Sequence, residues 1–379
     1  MTGIITGTGM VTSVGINKRS SFARLCAGQE GRRPLQFFDR DRFNLQMAYE
    51  LSAGIPLIPH HLRASQLLVM AVKEAVMFSQ LDVHSSRTIA FVGTGLRELR
   101  SLELWAAGEQ SLHASELHFG DALRAATGRE IPVTTLSNAC SASNFALGLA
   151  EDAISLGEAD VVIVAGCDSL SESMFGLSDR VNPLHPERVQ PFDQQRRGVL
   201  LGEGAAAVVI ESAAHAEARS ANRLAELRSV GISCDAHHET APDLDGIVRS
   251  ILDAHQRAGV AAEDIDLLMA HGTGTHLNDK TEALALQEIF GNQSKSPFVT
   301  GLKSLIGHTS GASALIGVVS AIECMQQSKI PPTIGLQNPI KEAEGLRFVT
   351  EAELSVPMQL AQVNAFGFGG VNAVSILEK

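Results

Sequence analysis

Four residues of this chain have the types and settings to do chemistry: Cys140, His271, Lys303 and His308. Cys140 stands in SNACSAS (137–143), where a short β-branched stretch gives way to a small-residue helix. A cysteine at a helix N-terminus faces the positive end of the helix dipole and unpaired N–H groups. Both favour thiolate, so its pKa is expected below the free value of about 8.5. Taken alone, Cys140 is also what a small buried hydrophobe looks like. Cys26, Cys167, Cys234 and Cys324 lack this setting and read as structural. His271 ends an apolar strand in AHGTGT; His308 stands in GLKSLIGHTSG, with Lys303 upstream in the same segment. A lone histidine is more often a hydrogen-bonded core residue, and a lysine is usually solvated. Here both histidines follow apolar strands into Gly-rich turns, where open α/β sheets build their sites. The tail NAFGFGGVNAVSIL (364–377) adds a Gly-rich turn whose N–H groups suit an oxyanion.

Other motifs fail on context. The GxGxxA-like tail leaves no room for a βαβ unit, so it is not a dinucleotide fingerprint. GTGMVTSVG near the N-terminus lacks the third glycine, and no GxxxxGK[ST] occurs. CDAHH (234–238) has a faint metal-like look, but no CxxC or HExxH supports it, so no metal is expected.

The elements that must position these residues alternate. Strands read at 3–7, 88–93, 160–165, 205–211, 266–270 and 374–377, and helices at 64–80, 141–156, 246–258, 279–290 and 311–327. Such alternation predicts largely parallel sheets covered by helices. The chain also repeats itself. SSRTIAFVGTGL (85–96) is similar to EDIDLLMAHGTGT (263–275), and PVTTLSNACSASNFALGLAEDAI (132–154) to PFVTGLKSLIGHTSGASALIGVVSAIE (297–323). An interval of about 175 residues exceeds any solenoid unit. It implies two similar halves: 1–215, carrying Cys140, and 216–379, carrying His271, Lys303 and His308. Cys140 and His308 are then expected at equivalent places, brought together by a pseudo-twofold axis.

Composition narrows the class. With 30 basic and 42 acidic residues the net charge is −12, so no basic excess exists for nucleic acid. A hydrophobic share of 45% and a charged share of 19% exclude a disordered chain. The 5 scattered cysteines make no disulfide framework. With MTGIITGTGM lacking signal-peptide features, they point to a reducing cytoplasm. Residues 304–322 hold no Lys, Arg, Asp or Glu. Their first half is Ser, Thr, Gly and His, so a buried core helix is expected and not a membrane span.

As a set, these segments resemble the β-ketoacyl-[acyl carrier protein] synthases, the decarboxylating condensing enzymes of the thiolase-like fold. ACSAS resembles the family's nucleophile turn, and PFDQQRRGVLLGEGAAAVVIE (191–211) its PFD…R.G…GEGA segment. AHGTGTHLND, GLKSLIGHTSGAS and NAFGFGGVNA follow in family order. The resemblance covers most of the chain from about residue 131 onward, plus the N-terminal strand. It implies a duplicated five-layer αβαβα sandwich and, in most members, a homodimer. Cys140 would accept an acyl chain by transthioesterification. His271 and His308 would hold the malonyl-thioester carbonyl during loss of CO₂, with Lys303 positioning His308. The N–H groups of Cys140 and Phe368 would form the oxyanion hole, with Phe368 also as gate. Thr273, Thr275, Gly369 and Gly370 would contact substrate, and Asp279 and Glu282 would support the site from behind. The product would be a β-ketoacyl-carrier two carbons longer. No resident cofactor is implied, since phosphopantetheine arrives on the carrier protein.

The chain departs from the family pattern between residues 35 and 130, which look trimmed. Segment 96–130 reads as charged helix where the family has a loop, which points to a specialised polyketide, polyene or similar pathway. Docking of an acidic carrier protein needs basic residues near the entrance, for which Arg63 and the Arg196–Arg197 pair are candidates. Two alternatives stay open. One is a non-decarboxylating acyltransferase or hydrolase on the same fold, against which the full set of His271, Lys303 and His308 counts. The other is a partner subunit of a ketosynthase heterodimer, against which Cys140 counts.

Overall fold

In a computed structural model of the chain, the described residues are 3–51, 61–83, 86–291, 293, 295–351 and 354–379. The first half contributes strands β1 (Gly3–Thr12), β2 (Thr88–Gly93), β3 (Val133–Leu136), β4 (Val161–Asp168) and β5 (Gly204–Ser212). The second contributes β6 (Ala225–Cys234), β7 (Leu267–Met269), β8 (Phe298–Thr300), β9 (Leu360–Gly367) and β10 (Val371–Glu378). Strand order in the first half is β3-β2-β4-β5-β1, and in the second β8-β7-β9-β10-β6, which is the same permutation. The senses repeat too. In each half three neighbours run parallel and the last two pairings are antiparallel. The sheets are therefore mixed, not largely parallel. The physical reason is plain at β9–β10, where a turn of three residues, Phe368–Gly370, is too short for a parallel crossover. The halves meet where Gly3–Ile5 of β1 pair antiparallel with Ala225–Leu227 of β6.

Five helices complete the layers. Helix α1 (Arg63–Ser79) covers the outer face of β1, β5 and β4. Helices α2 (Ala142–Ser155) and α5 (Ser313–Gln327) pack on each other between the two half-sheets. Helix α3 (Leu244–Ala258) lies on β6 and β10 as the outer layer of the second half, with α4 (His276–Phe290) beside it. This is the thiolase-like five-layer αβαβα sandwich. Its cores follow the layers: a central one around α2 and α5, and one under each outer helix layer. Helix α5 is buried from Ala314 through Met325, as its charge-free sequence requires. No helix of the described residues is long and apolar enough to cross a membrane.

Sequence and structure diverge at several elements, among them the unforeseen helices Lys18–Cys26 and Glu172–Val181, segment 96–130 and two strands. Segment 96–130 is two short helices, Leu99–Ala106 and Gly120–Thr127. They are separated at Gly108, whose φ of 75° no helix accommodates. Strands β6 and β9 escape the sequence pattern because polar residues interrupt their apolar runs: Glu226 and Arg228 in β6, Gln362 and Asn364 in β9.

Helix α1 seats on β1 at two glycines. A Cβ at Gly9 would lie 2.0 Å from the Ala71 carbonyl oxygen, and one at Gly7 2.1 Å from that of Ala75. Gly9→Ala must push α1 outward, at about 1–3 kcal/mol for such overpacking. A thermal unfolding midpoint several degrees below wild type is expected; an unchanged midpoint would show that α1 does not seat there.

Candidate active site

Cys140 lies in the tight turn Ala139–Ser141 that joins β3 to α2. Ala139 takes a left-handed φ of 50°, which costs a non-glycine residue about 1–2 kcal/mol. The second half repeats the device: Ser310, with φ 48°, precedes Gly311 in the turn that opens α5. The partner of Cys140 by position is thus Gly311. His308, expected there, comes three residues earlier. The inserted short helix Lys303–Ile306 lengthens the second turn and carries His308 away from the exact repeat.

Cys140 is half-buried as a residue. The backbone N–H groups of Phe368 and of Cys140 itself face the sulfur, the pair expected to hold an oxyanion. The thiol pKa is nevertheless pushed up to about 11. Burial is the largest cause, ahead of the Lys303 ammonium and the two N–H groups, which pull the other way. The expectation of a lowered pKa fails because desolvation of the thiolate outweighs the helix terminus.

His271 and His308 stand edge to face, with ring centroids 5.6 Å apart. Lys303 donates to the His271 backbone oxygen at 2.5 Å and to His271 Nδ1 at 3.3 Å. The lysine therefore positions His271, not His308 as expected. His308 Nδ1 accepts the Ser310 N–H at 3.1 Å and lies 3.1 Å from Ser313 Oγ. With both Nδ1 atoms engaged as acceptors, the neutral rings carry their protons on Nε2. Burial and the Lys303 charge hold both imidazoles well below the usual histidine range, so they stay neutral. Burial also lowers Lys303 to about 8, while Cys140, Glu282 and Asp279 pull it back up.

Asp279 and Glu282, one turn apart on α4, are fully buried and hold the loop between them. Glu282 accepts from the N–H groups of His271 and Gly272, both at 2.8 Å, and from Asn364 Nδ2 at 3.1 Å. Asp279 accepts from the N–H groups of Phe192, Thr273 and Gly274. Thr273 and Thr275 share a hydroxyl hydrogen bond of 2.7 Å. Gly369 and Gly370 donate to the carbonyls of Glu239 and Gly367. Their N–H groups shape the turn and leave Phe368, half-exposed, to face the sulfur.

The segment 191–203 proves to be scaffold for the histidine turn. His308 donates its N–H to the Leu200 oxygen and accepts that of Gly202. Arg196 is buried against the Thr275 and His276 carbonyls, and Arg63 is paired with Glu203 at 2.7 Å in the interior. Neither can receive a partner protein. Arg197 remains exposed, beside Gly198, whose N–H reaches the Gly274 oxygen. Arg249, not foreseen, is exposed at the Cys234 carbonyl near the Phe368 turn. Cys234 is itself exposed, unlike Cys26, Cys167 and Cys324. Asp235 of CDAHH packs against Gly370. Asp168 gives no signal in the sequence. It accepts from Thr94 Oγ1 and the N–H groups of Gly95, Leu96 and Gly311, all within 2.8 Å, and burial lifts it to about 7.

The chain is similar in sequence and fold to known proteins. Residues 62–216 match the model for the β-ketoacyl synthase N-terminal domain, and residues 224–337 that for the C-terminal domain. Nodulation protein E of Rhizobium meliloti is 33% identical over 82% of this chain and 81% of its own length. The 3-oxoacyl-[acyl-carrier-protein] synthase 2 of Rhizobium meliloti strain 1021 is 30% identical over 99% of this chain and 98% of its own. The solved ishigamide ketosynthase/chain length factor superposes with a TM-score of 0.90 at 33% identity, covering 100% of this chain and 99% of that one.

The thiol's burial has a measurable consequence. In a Cys234→Ser background, alkylation of Cys140 by neutral iodoacetamide should still be rising at about pH 10, with no plateau below it. Lys303→Met should slow it several-fold at pH 7, where the lost ammonium counts, with the gap closing above about pH 8. A plateau near or below about pH 8.5 would contradict the burial argument.

Proposed function

The chain belongs to the β-ketoacyl synthase family, and on that premise we propose how its site divides the work of condensation. It is a condensing acyltransferase of fatty-acid or polyketide biosynthesis. Cys140 attacks the thioester carbonyl of an acyl-carrier protein as its thiolate, and the proton its thiol gives up ends on the departing phosphopantetheine sulfur. The tetrahedral oxyanion rests on the N–H groups of Cys140 and Phe368. Collapse expels the carrier's phosphopantetheine thiolate and leaves an acyl-Cys140 thioester. A malonyl-carrier then places its thioester oxygen against His271 and His308. The carboxylate leaves as CO₂, and its bonding pair passes into an enolate whose oxygen accepts from the two Nε2–H groups. The enolate carbon attacks the acyl-Cys140 carbonyl, and collapse of that adduct frees the Cys140 thiolate and a β-ketoacyl-carrier two carbons longer.

The observation that carries this reading is the engagement of both Nδ1 atoms, by Ser310 and Lys303. It makes each imidazole a neutral donor, the form an enolate needs. The same pairing weighs against a simple hydrolase, which has no use for two donors aimed at a second acyl group. Arg197, next to Gly198, and Arg249, at the Cys234 carbonyl, are exposed and suit an acidic carrier protein. Strand β3 lies at the sheet edge of the first half and offers its half-exposed residues to a second copy, so a homodimer is the expected assembly. The ketosynthase/chain length factor relative makes a heterodimer the second reading. A reducing cytoplasm suits the free thiol.

Intact mass after incubation with an acyl-carrier should rise by the acyl group in wild type and not in Cys140→Ala. His271→Ala and His308→Ala should still be acylated, but release CO₂ from malonyl-carrier about 10²–10³-fold more slowly. Charge reversal at Arg197 and Arg249 should raise KM for carrier-bound substrate and leave a free pantetheine thioester unaffected. Acylation without any elongation would move the assignment to a plain acyltransferase.

A further inference from the structure

Behind the site, a line of polar side chains crosses the otherwise apolar layer between the second half-sheet and its outer helices. His255, on α3, places Nε2 2.7 Å from Gln362 Oε1. Gln362 Nε2 donates to Asn364 Oδ1 at 2.8 Å, and Asn364 Nδ2 donates to Glu282 Oε1 at 3.1 Å. The same carboxylate oxygen accepts the His271 N–H at 2.8 Å. All five side chains are buried. Gln362 and Asn364 lie on one face of β9 with Phe366, which packs in the outer core, and His255 meets the Phe290 ring edge-on at 6.0 Å.

The direction of this line is set at one end. An ionised Glu282 only accepts, so Asn364 must offer it the amide NH₂ and turn its oxygen to Gln362. Gln362 must then turn its own oxygen to His255, which must carry a proton on Nε2. Each amide has one orientation, and His255 is the residue that closes the line. Without its N–H, the Gln362 oxygen is buried with no donor, and the amides lose the constraint that aims Asn364 at Glu282. Such groups cost about 1–3 kcal/mol each when unsatisfied. An apolar trio would pack in the same space without that exposure, so the line needs a reason, and its far end supplies one. Glu282 holds the backbone of His271 and faces Lys303 electrostatically.

We infer that His255, through Gln362, Asn364 and Glu282, is a positioning residue for His271 in the decarboxylation step. It acts from the opposite side of the sheet and touches no substrate. The inference rests on the role proposed above for His271.

The test compares two half-reactions in the full-length protein: acyl transfer to Cys140, read by intact mass, and CO₂ release from malonyl-carrier. His255→Phe keeps the ring and removes the donor; His255→Gln restores an N–H. His255→Phe should lower CO₂ release about tenfold or more while acylation stays within about twofold, and His255→Gln should recover most of the loss. Should His255→Phe fail to fold, Gln362→Leu carries the same comparison. Both half-reactions falling together, CO₂ release within about twofold of wild type, or a loss that His255→Gln does not restore would each overturn the inference. His271→Ala separates the two levels. If it decarboxylates normally, the reading of the site falls and this inference with it. If it is inactive while His255→Phe is not, this inference alone falls.

Discussion

Two buried helices begin at nearly the same point in space, and the site exists because they do. The turn before α5 reaches into the first half: the Gly311 N–H bonds the Asp168 carboxylate of β4, and Leu315 N–H bonds Ser143 Oγ of α2. A Cβ on Gly311 would sit 2.4 Å from the Gly95 nitrogen, so only glycine permits the approach. A duplicated sheet that sandwiches its own two helices leaves them no other arrangement. The consequence is asymmetric use of a symmetric frame. At the Cys140 turn the converging N–H groups face a reactive sulfur; at the Gly311 turn an internal carboxylate takes the equivalent anion position.

Convergence costs desolvation. The ionisable groups at the site are buried, Cys140 half so, and loss of water is the main influence on each: it raises Cys140, Asp168, Asp279 and Glu282, and lowers Lys303, His271 and His308. The carboxylates are held by backbone N–H donors and the lysine by a carbonyl, so few charges stand uncompensated. The outcome suits condensation. The imidazoles remain neutral donors, the thiol rests protonated, and the lysine ammonium acts on the sulfur and on both imidazoles.

How much of this was legible in the sequence depended on whether one residue type carried the signal. Cys140, His271, Lys303 and His308 stood out because reactive side chains in Gly-rich turns after apolar strands are hard to explain otherwise. The two similar halves were implied by the repeat, and α5 by its charge-free run. What stayed hidden depended on tertiary distance. That Lys303 serves His271, that Arg63 and Arg196 are interior, and that burial overrides a helix terminus at Cys140 all follow from packing that no spacing encodes. Strand β9 was hidden by Gln362 and Asn364, the polar residues that link the outer layer to the site.

Two neutral imidazoles, both protonated at Nε2, stand beside a charged lysine. Nitrogen-15 spectra of His271 and His308, assigned by single-site replacement and followed from about pH 6 to pH 8, test it most directly. The account predicts the neutral Nε2–H tautomer for both rings throughout. An imidazolium at neutral pH, or an Nδ1–H tautomer at either ring, would contradict it.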